Sequence, residues 1–504
     1  MKLKETSRFF LFITISSLFV GIFFTSSDFI TIPAVGIKDR FTILLQWGVV
    51  CAGEWLLIYF LSTNKYIFAV IFPLLSGFSS VLAYFRYSLN TILTPMIYDA
   101  AIHNDAQTSA DLITPALIFY IFLSLIISIG FVYYRWRKVK VKKQFIHIAI
   151  SLTTLFLFIN LPTIKRPLSH RIPFNLYFIP KMYYENKKES EKYRPSLSES
   201  VVCLNKEPLT VTFVLGESLR ADHLGINGYE RNTTPYLSNE DIISFTNIYC
   251  EETYTNTALP RILTRADSLY PERAYTERSF IDLFNACNYH TSWLANQEAA
   301  NSYIYFMHEC DTLIHVNIDK SSYTFDKWMD DALFPAFDEM LSRNVDFQFI
   351  LLHTIGSHWI YNSHYTDDFE YFRPITRSKI ISSNTKEEMI NSYDNTVLYT
   401  DFFLYNLIQR LRARNAVLIY LSDHGESLGE NGVWLHAANS PPIHFPACIV
   451  WMSETYKNQN PAKYEAAQAN REKHYTSDFL FHSILDAAGI QSSIVEAEVS
   501  IFTE

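Results

Sequence analysis

Hydrophobic and polar positions divide this chain into two unlike parts. Before residue 165, five apolar runs have membrane-spanning length: Phe9–Thr25, Phe41–Leu61, Tyr66–Tyr84, Leu112–Tyr134 and Phe145–Leu161. The first follows Lys2, Lys4 and Arg8 as a signal-peptide core would. It is long for one, has no small-x-small cleavage site after it, and precedes four more spans, so it reads as a retained helix. From Pro162 to about Glu207 the chain turns polar, with Lys-Lys-Glu-Ser-Glu-Lys at 187–192. That stretch reads as a linker with a short amphipathic, interfacial helix near Tyr177–Tyr184. Beyond it, short β-branched runs end in polar clusters. Val211–Leu215 leads into Gly-Glu-Ser, Phe347–Leu352 into His-Thr-Ile-Gly-Ser-His, and Ala416–Leu421 into Ser-Asp-His-Gly-Glu. Helical patterns, such as Asp330–Leu341 and Glu387–Arg412, lie between them. Strands alternating with helices predict an α/β domain with a mostly parallel central sheet. In such sheets ligands bind beyond the carboxyl ends of the strands, where all three polar clusters fall.

Charge orients the apolar part. The loop between the fourth and fifth spans, 135–143, is strongly basic and belongs on the cytoplasmic side together with Lys2, Lys4 and Arg8. The loop from Phe85 to Asp111 carries Asp99, Asp105 and Asp111 against Arg86, and belongs outside. Five spans then place everything after Leu161 outside the cytoplasm. Glu54, in the middle of the second span, reads as a carboxyl protonated or paired against a neighbouring helix. The expected organisation is a five-span transmembrane domain over 1–164, a linker over 165–207 and a catalytic domain over 208–504.

Composition narrows the class. Hydrophobic residues make up 49% and charged residues 18% of the 504 positions, and the mean hydropathy is +0.04. A net charge of −9 argues against a nucleic-acid partner, which would need a basic face. Of six cysteines, Cys51 lies in a span. An oxidising compartment permits disulfides among the rest, with Cys287–Cys310 the favoured pair. Cys448, inside an apolar run, reads as a buried free thiol.

Glu217, Asp423 and His424 each follow a strand, so they converge although distant in sequence. Two carboxylates and an imidazole suit a divalent cation such as zinc or manganese, and His358 and His436 offer further nitrogen ligands. A metal in that position would activate a hydroxyl. Thr253, Thr255 and Thr257, in the stretch Cys250–Pro260, are the hydroxyls available.

Three blocks together resemble the bacterial phosphoethanolamine transferases, inner-membrane enzymes of the alkaline phosphatase/sulfatase superfamily that include modifiers of lipid A. They are Gly216-Glu-Ser-Leu-Arg-Ala-Asp-His-Leu-Gly-Ile-Asn-Gly-Tyr-Glu-Arg-Asn-Thr-Thr-Pro235, His353-Thr-Ile-Gly-Ser-His358, and Ser422-Asp-His-Gly-Glu-Ser-Leu-Gly-Glu-Asn-Gly-Val-Trp-Leu-His436. The resemblance implies an alkaline phosphatase/sulfatase-like periplasmic domain on a bacterial inner-membrane anchor. It implies a zinc ion held by Glu217, Asp423, His424 and the nucleophile. Anchored on Pro260, the nucleophile position falls on Thr255. His358 and His436 match histidines that bind a second zinc or the substrate phosphate, and Asn296 matches a polar position that contacts substrate. The implied reaction moves phosphoethanolamine from phosphatidylethanolamine to lipid A or an envelope glycan through a covalent threonine intermediate.

The chain departs from the family in two places. Its nucleophile segment begins Cys250-Glu-Glu-Thr253 where the family has Cys-Gly-Thr, which leaves Thr253 as the alternative nucleophile. The outer loop around Asp99–Gln107 lacks the Asn/Thr/Glu spacing of lipid A modifiers. Two other functions fit parts of the pattern: a phosphoglycerol transferase using phosphatidylglycerol, and a non-catalytic membrane scaffold with an enzyme-like fold.

Overall fold

The computed structural model describes residues 5–103, 112–436 and 438–504. Lys2, Lys4, Asp105 and Asp111, which carry part of the orientation argument, lie outside the described residues, as does the outer loop beyond His103. The chain forms two compact units. One comprises Met1–Glu185 with Asp319–Phe325 and Arg377–Ser383; the other comprises Asn186–Ile318, Asp326–Thr376 and Asn384–Glu504.

The first unit is a bundle of apolar helices: α1 (Glu5–Val20), α2 (Gly36–Thr63), α3 (Lys65–Leu89), α4 (Pro115–Lys138) and α5 (Gln144–Ile159). A π-helical turn, Gly21–Thr25, prolongs α1. Start signals are local: the Asn64 side chain accepts the Tyr66 and Ile67 amides at α3, and Thr114 caps α4 ahead of Pro115. Among the described residues four helices are long and apolar enough to cross a membrane, and the expected fifth does not reach that length by itself. Its 16 residues fall short of the ~20 a span needs, and it bends by 87° into Pro162–Ser169. Only if the bent pair is one span does the count reach five. Phe9, Phe12, Phe68 and Phe72 fill the bundle centre. Glu54 is buried and accepts the Thr25 hydroxyl from the end of the first helix. The helix near Tyr177–Tyr184 extends over Asn175–Ser190, so the 165–207 segment is shared between the two units.

The second unit is built on a seven-stranded sheet: β1 (Leu209–Gly216), β2 (Ile242–Phe245), β3 (His290–Ala295), β4 (Thr312–His315), β5 (Phe347–His353), β6 (Ala416–Ser422) and β7 (Cys448–Met452), in the order β2-β7-β6-β1-β5-β3-β4. The expected mostly parallel sheet is mixed. β4, β3, β5, β1 and β6 pair in parallel, whereas β7 is antiparallel to both neighbours. The connection from β6 to β7 holds no long crossover helix, and a return without one runs antiparallel. The three central strands are almost wholly buried and mostly apolar, with Val211, Phe213, Leu215, Phe349, Leu351, Val417 and Ile419 in one core. Their register sets Leu215 beside His353 and Gly216 beside Ser422. The three polar clusters therefore leave the sheet at one level on one edge.

Two helices matter to the site: α6 (Thr255–Leu263) and α7 (Lys386–Leu411). The latter opens with a Thr385–Glu388 capping box. The disulfide joins Cys203 to Cys287, not Cys287 to Cys310. Cys203 and Tyr289, two residues after Cys287, both lie against the Ala488–Ile490 turn, through Leu204 N–H on Gly489 O, Tyr289 Oη on Ala488 O, and the pairing of Cys203 with Ile490. Cys310 is free at the approach to β4, and Cys448 is a buried free thiol as expected.

Candidate active site and metal centre

Glu217 is the first residue past β1 and is buried. The next residue, Ser218, is forced into the left-handed region at φ 58°, a sparsely populated conformation for a side chain with a Cβ. Its neighbours over-determine it. Ser218 N–H donates to Asp423 Oδ1 at 3.1 Å, its hydroxyl donates to Glu217 Oε1 at 2.7 Å, and its carbonyl accepts Tyr393 Oη at 2.7 Å. The loop after β5 presses against the same turn: Ser357 N–H donates to Glu217 O at 3.0 Å. Gly356, at φ 49°, is required there, because a Cβ would sit 2.8 Å from the Glu217 carbonyl oxygen.

Thr255 opens α6, at a helix start where backbone N–H groups lack intrahelical acceptors and favour an anion. Its hydroxyl donates to Glu217 Oε2 at 2.9 Å. Of Thr253 and Thr255, it is Thr255 that reaches the acidic cluster. Gln297, just past β3, donates its amide to the same Glu217 oxygen at 3.0 Å and to Thr354 O at 2.7 Å.

Asp423 and His424 follow β6 and are fully buried. Asp423 Oδ1 accepts the Ser218 and His424 amides, while Oδ2 has no hydrogen-bond partner. His424 Nδ1 lies 2.7 Å from Gly425 O. A carbonyl only accepts, so Nδ1 carries the proton and the lone pair is on Nε2. That Nε2 is also buried without a hydrogen-bond partner, 3.6 Å from Glu217 Oε1 and 3.4 Å from Asp423 Oδ2. His436 Nδ1 lies 2.9 Å from Glu426 Oε2, whose other oxygen accepts Tyr361 Oη at 2.8 Å. The same logic leaves Nε2 of His436 as its outward nitrogen. Ligand atoms of Glu217, His424 and His436 lie within 4.8 Å of one another. The His358 ring centroid is 5.9 Å from that of His436.

Asn296 behaves differently. Its amide donates to Met329 O and Asp330 Oδ1, and its carbonyl accepts from Asn317 Nδ2 and Trp328 Nε1, so its side chain is saturated by protein partners. Through Asp330, which accepts the Ile355 and Gly356 amides, it holds the loop that carries His358. Burial pushes the Asp330 carboxyl up to about 6.

The electrostatics are those of a cation site. Burial would raise Glu217, but His424, His358 and His436 outweigh it and hold the carboxyl at about 2. Asp423 is driven well up, first by burial and then by the adjacent Glu217 charge. Burial lowers His424 and His358. His436 goes the other way, up to about 9, because Glu426 overcomes its burial. Two buried carboxylates this close repel unless a cation lies between them. The unpaired Asp423 Oδ2 and His424 Nε2 face such a position, and oxygen and imidazole donors with a fixed outer hydrogen bond suit zinc. The residues present fit the ion.

Gln297 and Glu426 were not singled out in the sequence, though both carried a signal. Gln297 follows a strand end as Glu217 does, and Glu426 belongs to the polar run after β6.

The family model described as Sulfatase matches residues 210–490, more than half of the chain and all of this site. The chain belongs to the Sulfatase family. Among curated relatives, it is 29% identical over 308 residues to the phosphoethanolamine transferase EptA of Escherichia coli (strain K12), an alignment covering 58% of this chain and 55% of that one. The chain thus spans little more than half the length of that relative. The integral membrane protein lipooligosaccharide phosphoethanolamine transferase A of Neisseria meningitidis has a similar fold, with a TM-score of 0.56, 24% identity and coverage of 97% of this chain and 98% of that one. The C-terminal periplasmic domain of EptC from Escherichia coli, solved in complex with Zn, covers 62% of this chain and 90% of its own at 23% identity and a TM-score of 0.56. The resemblance read from the three sequence blocks is borne out.

Proposed function

We propose that this sulfatase-family chain is a multi-pass bacterial inner-membrane enzyme with its catalytic unit in the periplasm. It transfers phosphoethanolamine from phosphatidylethanolamine to an envelope acceptor, a lipid A phosphate or an envelope glycan, with Thr255 as nucleophile. The observation that carries the reading is the Thr255 hydroxyl on Glu217 at a helix start, beside the unpaired Asp423 Oδ2 and His424 Nε2. Apolar helices in the same chain suit a donor and an acceptor that are both lipid-borne.

Glu217, Asp423 and His424, with the Thr255 oxygen, would hold zinc, which when bound supplies Lewis-acid stabilisation of negative charge on oxygen. Glu217 Oε2 orients the Thr255 hydroxyl and Gln297 keeps that carboxylate in place. Thr255 Oγ1 forms a bond to phosphorus as the bond from phosphorus to the diacylglycerol oxygen breaks. The start of α6 favours the developing phosphoryl charge. His358 and His436 face the phosphate directly or through a second zinc, and His436 is fixed for that purpose by Glu426. The proton that Thr255 loses ends on the diacylglycerol oxygen, and a protonated acceptor oxygen then displaces the phosphoethanolamine from Thr255, its proton restoring the threonine hydroxyl.

The test is the mass of the zinc-loaded full chain after incubation with phosphatidylethanolamine or, separately, phosphatidylglycerol, without acceptor. A phosphoethanolamine adduct mapped to Thr255 is the expected result. A phosphoglycerol adduct would move the chain to the other donor, and an adduct on Thr253 would displace the nucleophile.

A further inference from the structure

The unit containing residues 5–185 holds a buried polar cluster with the opposite imbalance. At the end of the bundle where the first helix finishes and α3 stops, Arg86 and Arg171 are almost fully buried around one carboxylate, Asp28. Arg86 Nε and Arg171 Nη1 each lie 3.9 Å from Asp28 Oδ1. Arg86 also donates to Asn90 O at 3.0 Å, Thr31 Oγ1 at 2.9 Å and Tyr323 O at 2.8 Å. Arg171 donates to Asp28 O at 2.6 Å and stacks over Phe29 and Tyr323, 4.7 and 5.3 Å from the ring centroids. Tyr323 also stacks on His170 at 4.6 Å.

Lys379 is the third cation. Its backbone N–H donates to Pro33 O at 3.2 Å, which fixes the segment on this end of the bundle. Its Nζ lies 4.4 Å from the Phe325 ring centroid and 5.6 Å from that of Tyr323. Among the described residues no carboxylate forms an ion pair with it. Burial first, then the charges of Arg171 and Arg86, draw the ammonium down to about 8.

A structural hub that docks 319–325 and 377–383 on the bundle accounts for both arginines, which hydrogen-bond to those segments or to the end of the first helix and share Asp28. It does not account for Lys379, where an apolar side chain would pack on the same two rings without placing a third positive charge beside two others. Hydrogen bonds to carbonyls satisfy donors but leave the charge, and a charge taken from water without a counter-charge is costly. Aromatic faces offset only part of that. Lys379 and Tyr323 are both only half-buried, so a ligand has access. The cluster also lies at the ends of helices long enough to cross a membrane, the level of phospholipid phosphates.

We propose that Lys379, with Arg171 and Arg86 behind it, binds a phosphate group, carried by an anionic phospholipid headgroup or free in solution. The cluster shares no residue with the transfer site and would hold a resident anion on the helical unit.

The test uses the full chain in neutral detergent and compares binding of short-chain phosphatidylglycerol with short-chain diacylglycerol, which lacks the phosphate. The wild type is expected to bind phosphatidylglycerol in preference. Lys379→Gln should bind it about fivefold less tightly, the loss of one lysine–headgroup attraction, and Lys379→Arg, which keeps the charge, should bind as the wild type does. Inorganic phosphate that competes identifies the phosphate itself as the ligand; phosphate that does not compete assigns the site to the lipid. Equal binding of the two lipids, or phosphatidylglycerol affinity unchanged in Lys379→Gln, would overturn the proposal.

Discussion

Asp394 and Asp423 are both fully buried carboxylates in the catalytic unit, and their surroundings differ in a way that separates architecture from chemistry. Asp394, on α7, is closed on every side. Oδ1 meets His223 Nδ1 at 2.7 Å, and Oδ2 accepts Tyr229 Oη at 3.0 Å and Arg231 Nη1 at 2.9 Å. The three partners come from the block after β1, and Thr233 adds a bond to the His223 carbonyl. That network ties the Gly216–Pro235 block to α7. Asp423 is half closed: Oδ1 is held by two amides, while Oδ2 is left beside a second carboxylate and an unprotonated imidazole nitrogen. Native proteins rarely bury a charge without a partner. A satisfied buried carboxylate therefore marks a joint, and an unsatisfied one beside other donors is where a cation would bind.

The contrast can be broken by substitution. The largest effect is expected at the hydroxyl that the open cluster serves. Thr255→Ala should lower phosphoethanolamine transfer on the order of 10³-fold or more and leave the thermal midpoint of the full chain unchanged; transfer kinetics and a melt on the same sample check both halves. Asp394→Ala should show the reverse pattern. It strands Arg231 and His223, costing about 3–5 kcal/mol and lowering the midpoint on the order of 10 °C, while folded molecules should take up zinc as the wild type does, which metal analysis after size exclusion checks.

The smallest effect comes from a third buried carboxylate, Asp401, which accepts the Tyr236 and Leu237 amides at 2.8 and 2.9 Å. Burial raises it to about 7. A carboxyl raised on folding binds its proton more tightly in the native state. Its stabilising contribution is full below its unfolded value near pH 4 and is lost as the pH rises through about 7. Asp401→Asn should flatten the midpoint-versus-pH curve over that window, and an unchanged slope would contradict the assignment.

How much of this was readable in the sequence depends on how local the determinant is. The strands β1, β5 and β6 were legible because β-branched runs ending in polar residues have few other readings, and their adjacency made Glu217, His358, Asp423 and His424 converge. Thr255 was one of three hydroxyls until the family resemblance selected it, since nothing in a Thr-rich stretch says which one begins a helix beneath Glu217. The Cys203–Cys287 pair was illegible because it depends on where the Ala488–Ile490 turn packs. The fifth span stands as a span only together with the helix after it, because its own helix has 16 residues and ends at the Asn160–Pro162 bend. Asn296 was chosen as a substrate contact, yet its four bonds to protein groups make it a support for Asp330 and the His358 loop. Burial and saturation of that kind cannot be seen in a string of residues.

The claim that the unpaired atoms of Asp423 and His424 define a metal site is tested most directly by titrating zinc into the metal-stripped full chain and into its Asp423→Asn variant. The account predicts stoichiometric zinc uptake by the wild type and none by the variant, with both chains folded. Zinc bound equally tightly by the two, or by neither, would contradict it.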